Sequence, residues 1–196
     1  GLTYLRQHRA LRLIYGVQLM IMIAFMVAPV IFAPFSHQIL HLSVIQFGNV
    51  NAALSVGIVL GGLLIPAFCR WTNWVSATII LCLLMCAFFV LFSLSTQFIQ
   101  AEILYALIGL GLAVWPLIIT LAQDMTDFAF QGRVQSVFSS LSGLGILLLY
   151  LLMGWTGHHA SIRVLYALPA LAVLAAAMMM WRYQKMIRPQ SNKIRT

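Results

Sequence analysis

Six apolar stretches, at about 13–35, 49–68, 75–95, 101–122, 134–156 and 162–182, take up most of the chain and leave only short connections. An α-helix rises 1.5 Å per residue, so about 20 apolar residues cross a hydrocarbon core roughly 30 Å thick. Each stretch meets that length. Strands of a membrane barrel would be near ten residues long and alternate in polarity, whereas Ala77–Phe92 is apolar almost throughout. The expected fold is all-α and integral to a membrane, with a lead-in at 1–12, a six-helix domain at 13–182 and a basic tail at 183–196.

Composition agrees. Of 196 residues, 63% are apolar and 7% charged, against roughly 25% charged in an ordinary soluble domain. The three acids, Glu102, Asp124 and Asp127, cannot solubilise such a surface. The formal charge of +8 is spread over the chain start, the connections and the tail, which argues against a nucleic-acid partner. Ten of the eleven Lys and Arg fall on one side of six alternating spans: Arg6, Arg9, Arg12, Arg70, Arg133, Arg182, Lys185, Arg188, Lys193 and Arg195. Only Arg163 falls on the other. Positive charge favours the cytoplasm, so both termini of this multi-pass protein are expected there. The chain opens at Gly1 with a polar, basic segment unlike a signal peptide, which suggests further chain upstream.

Several residues do more than face lipid. In the second span, Gly57 and Gly61 form a small-xxx-small step that admits a close neighbour. Asn51 and Ser55 share another face, which either lines a cavity or hydrogen-bonds to an adjacent helix. Gln18 lies near the cytoplasmic end of the first span, and Pro29 and Pro34 should bend or break its outer third. The fourth span carries Tyr105 and Trp115, suited either to a pocket or to a core, and Gly109, Gly111 and Pro116, which loosen its backbone. Glu102 opens that span and is a candidate for ion coupling or simply a helix-start acid at the interface. Ser139 and Gly143 repeat the small-residue step in the fifth span. Asp124, Asp127, Gly132 and Arg133 cluster in an inner connection, as an ionic latch or as solvated charge.

Other chemistry finds no support. Cys69, Cys82 and Cys86 lie in or beside apolar runs and read as packing residues, not as a disulfide or metal site. Adjacent His158 and His159 converge poorly on one ion and read as loop polarity. There is no P-loop, no dinucleotide-binding glycine pattern and no H-E-x-x-H, so no enzyme, metal or cofactor is expected.

Three segments carry a resemblance to a known family: Gly1–Arg6 ahead of the first span, Val44–Gly48 ahead of a glycine-rich helix, and Gln131–Ser136 followed by Leu141–Gly145. With these, the chain resembles the C-terminal half bundle of a major facilitator superfamily transporter, in the branch of macrolide-efflux and enterobactin-export proteins. Gln131 stands where that branch has arginine, and Arg70–Trp74 lacks the acid of the family's gating loop. The resemblance implies proton-coupled efflux (antiport) of a small drug-like or siderophore-like solute by alternating access. It places Gln18, Asn51, Ser55, Tyr105 and Trp115 at the solute cavity, opposite an N-terminal six-helix half or a second copy. Uptake of a nutrient, or a non-transporting six-helix scaffold, are the alternatives.

Overall fold

The computed structural model describes residues 5, 8–156 and 161–191; His158 and His159 lie outside them, as do Gly1–Tyr4, Arg6 and 192–196. Eight helices follow one another: α1 (Arg9–Gln38), α2 (Val44–Trp71), α3 (Trp74–Ser93), α4 (Phe98–Leu112), α5 (Val114–Asp124), α6 (Phe128–Thr156), α7 (Ile162–Leu165) and α8 (Ala167–Ser191). Taken with α4–α5 and α7–α8 as interrupted single spans, they make six stretches long and apolar enough to cross a membrane.

Local chemistry explains most boundaries. Ser43 and Gln46 form a reciprocal capping box at the start of α2, and the Asn73 side chain accepts from the Ser76 amide to start α3. The breaks within spans four and six share a cause. Each interrupting residue, Ala113 and Tyr166, lies three positions before a proline, Pro116 and Pro169. A proline cannot donate to the carbonyl four residues back and its ring crowds that turn. Pro29 and Pro34 have no such outcome. The outer third of α1 runs unbroken to Gln38, so these two prolines do not break it, and the breaks fall in spans four and six. The last helix also outruns its apolar part, continuing through 183–191, which sequence places in a tail.

The tightest pairing is between α2 and α4. A Cβ on Gly57 would collide with the Ala106 carbonyl oxygen, one on Gly109 with that of Leu54, and one on Gly61 would sit 2.5 Å from the Leu110 oxygen. The backbones touch because there are no side chains between them. On the other flank, α8 packs along α1 and α3, and Gly16 receives the Met179 side chain. α6 is the loosest element. It meets α1 through a Tyr15–Phe138 ring contact at 5.3 Å and a hydrogen bond of 2.9 Å from the Tyr150 hydroxyl to the Met26 carbonyl. Leu144, Leu148 and Leu151 on α6 are more than half exposed, which in this setting means open to lipid or to another protein body.

Candidate functional site

The bundle is sealed at the end opposite most of its arginines. Phe32 and Phe35 of α1, Phe47 of α2, Phe92 of α3, Tyr105 of α4 and Tyr166 at the α7–α8 break join in one aromatic cluster. Phe32 stacks on Tyr105 at 4.6 Å and on Phe47 at 5.1 Å, and Phe92 touches both tyrosine rings at 5.1 Å. Five of the six spans contribute, so the cluster fixes that end as a unit. Tyr105 thus sits inside the half bundle, fully buried.

Gln18 is equally enclosed but lies elsewhere. It precedes Phe32 by 14 residues on α1, roughly 20 Å along the axis. Neither its amide nitrogen nor its oxygen has a partner, and the hydroxyls of Tyr105, Tyr166 and Ser142 are likewise buried without one. Such groups cost about 1–3 kcal/mol each when left unpaired. Trp115 follows Tyr105 by ten residues, just past the break at Ala113, and is half-buried against the core. That places it nearer the depth of Gln18.

Asn51 and Ser55 remain on their own helix. The Asn51 amide donates to the Phe47 carbonyl at 2.9 Å and the Ser55 hydroxyl to the Asn51 carbonyl at 3.3 Å. Ser55 is exposed and Asn51 half-buried. The contacts of Gly57 and Gly61 with α4 set a register that brings Asn51 within about a turn of Glu102, itself half-exposed. The five candidate cavity residues thus form two groups, Asn51, Ser55 and Tyr105 toward the aromatic end and Gln18 and Trp115 toward the arginine-rich end.

The remaining candidates divide sharply. Gly57 and Gly61 are occupied by α4, whereas nothing lies within 4 Å of a Cβ placed on Gly143 or Gly132, and Ser139 is exposed. Asp124, Asp127 and Arg133 are exposed around the α5–α6 turn. That turn is held by a residue sequence reasoning gave no job: the Gln131 side chain donates to the carbonyls of Gln123 at 2.9 Å and Thr126 at 3.2 Å, capping the end of α5. Arg163 has a comparable task, donating at 2.8 Å to the Ser93 carbonyl at the end of α3, where the helix dipole favours a cation. Its signal was available in its isolation as the one cation on its side. Among the described residues no cluster of three or more His, Cys, Asp or Glu could hold a metal.

The family model of the Major Facilitator Superfamily matches residues 7–195. The chain belongs to this superfamily. Its fold is similar to the crystal structure of an auto-inhibited POT family peptide transporter, with a TM-score of 0.69 at 19% identity over 91% of this chain. The chain spans 37% of the length of that transporter. A search of curated proteins finds no match. At that identity the likeness speaks for the fold, and six spans with no sheet among the described residues correspond to one half bundle of the superfamily.

Proposed function

We propose that the chain forms one six-helix half of a secondary transporter that moves a small solute across a bacterial inner membrane by alternating access. The arginine-rich end, with Arg12, Arg70, Arg133 and Arg182, faces the cytoplasm, and the aromatic cluster faces outward. Superfamily membership supports the class of activity. The observation that carries the reading is the uncovered small-residue face of α6, where Ser139 is exposed and nothing lies within 4 Å of a Cβ placed on Gly143. Small-residue faces in membrane helices serve close helix contact, so a second six-helix body, from the same protein or a second copy, belongs there.

Between the two bodies, Asn51, Ser55 and Trp115 form part of one wall, with Gln18 and Tyr105 behind it. The breaks at Ala113 and Tyr166 supply places where α4–α5 and α7–α8 can bend, uncovering those buried amide and hydroxyl groups to a solute. Glu102 is the candidate for coupling to protons, and Asp124, Asp127 and Arg133 for a latch on the cytoplasmic side. The resemblance of Gln131–Ser136 and Leu141–Gly145 to the macrolide- and enterobactin-exporting branch favours outward movement of a drug-like or siderophore-like solute.

The test is accumulation of a panel of antibiotics and siderophores in cells with and without the intact gene. Lower accumulation of at least one compound in expressing cells, reversed by a protonophore, is expected. Equal accumulation across the panel, with the protein present in the membrane, would contradict efflux; higher accumulation would assign uptake.

A further inference from the structure

A cavity of about 220 Å³ lies where α1 and α6 meet at the arginine-rich end. It exists because these helices are held apart by the Tyr15–Phe138 ring contact and not drawn together by glycines as α2 and α4 are. Leu5, Leu19 and Leu141 give it apolar walls, while Arg12, Tyr15 and Ser142 bring polar groups to its lining, the Tyr15 hydroxyl being engaged with Thr126. Arg12 is exposed. Ser142 is 1% exposed and its hydroxyl is unpartnered. From Arg12 to Leu19 the cavity descends about 10 Å along α1, from the membrane surface into hydrocarbon.

We propose that this cavity is a binding site for an anionic phospholipid of the cytoplasmic leaflet, with Arg12 on the headgroup phosphate and Ser142 donating to an ester carbonyl. The inference rests on the cytoplasmic placement of the arginine-rich end given above. Three features select this occupant. The polar groups are stacked in the order in which a phospholipid presents them, charge at the surface and ester below, with leucines for the first acyl carbons. The lining holds a cation and no carboxylate, so the positive group of a zwitterionic headgroup has nothing to meet, whereas a headgroup of net negative charge is fully accommodated. The cavity also borders the side of α1 facing α8, since neighbouring Gly16 receives Met179, and on these two flanks Leu141 and Trp181 are 56% and 66% exposed. The volume, about seven times the ~30 Å³ share of one liquid water, admits the glycerol region and chain starts of a lipid, the tails lying outside.

The experiment is native mass spectrometry of the intact, delipidated protein after incubation with equal amounts of phosphatidylglycerol and phosphatidylcholine. The wild type is expected to retain phosphatidylglycerol preferentially. Arg12→Gln should lower that retention about fivefold, the effect of one interfacial cation, without changing phosphatidylcholine. Arg12→Lys should keep most of it, and Arg182→Gln, on α8 and outside the cavity, should leave it unchanged. Leu141→Trp, which fills the cavity, should lower retention of both lipids. No effect of Arg12→Gln, or an equal loss with Arg182→Gln, would overturn the site. Should Arg12→Gln fail to purify, unchanged retention in Leu141→Trp overturns it. Retention is read without transport, so an inactive wild type would count against the transporter reading and leave the lipid site standing.

Discussion

On the proposed reading, Gln18 is a single polar residue that serves two states. Enclosed with both amide atoms unpaired, it weakens this arrangement by about 1–3 kcal/mol relative to an apolar residue of similar size. Gln18→Leu should therefore raise the unfolding temperature of the purified protein while lowering solute transport at least tenfold; unchanged transport would make it a packing residue. Arg163 gives the opposite case. Removing its charged hydrogen bond to Ser93 in Arg163→Gln should cost roughly 1.5–3 kcal/mol, read as a lower unfolding temperature. The glycines split by their surroundings. Gly57→Leu drives a side chain into the Ala106 backbone and should abolish stable membrane insertion. Gly143→Leu meets nothing in the half bundle; it should leave abundance intact and reduce transport if its partner surface is the proposed facing body. Polar or small character was legible in the sequence at all these positions. What each one touches was not, since Ser139 and Gly143 read the same as Gly57 and Gly61 until the neighbours are known.

At the level of elements, apolar length was sufficient to find all six spans, because a helix crossing hydrocarbon has little freedom in its composition. Interruptions were harder to read. Five prolines inside the apolar spans looked alike: Pro29 and Pro34 in α1 and Pro66 in α2 are absorbed, whereas Pro116 and Pro169 follow breaks. Neighbouring helices re-satisfy the freed carbonyls in some places and not in others, and that is a tertiary property. If the break at Ala113 lets α4–α5 bend during transport, Pro116→Ala should straighten the span, stabilise the protein by about 1–3 kcal/mol, and slow transport several-fold at unchanged abundance. Faster or unaltered transport would assign the break a purely structural role.

Across the whole molecule, two unlike ends define the account. One is closed by an aromatic cluster drawn from five spans, and the other carries the arginines, the loosely held base of α6 and the exposed α5–α6 turn. Between them the half bundle offers polar side chains, yet a cavity between α3 and α8 and another between α2, α3 and α4 are lined by apolar and aromatic groups, and one between α1, α6 and α7 adds Gln38 and Tyr150 to such a lining. On the proposed reading a second body completes the chamber for a solute, and the uncovered face of α6 is where the two would meet. The most direct measurement is solute flux in proteoliposomes containing the intact protein under an imposed pH gradient. The account predicts accumulation of at least one panel compound against its own gradient, lost when a protonophore collapses the pH difference and reduced in Gly143→Leu. Absence of flux for every compound, with the protein folded and correctly inserted, would contradict it.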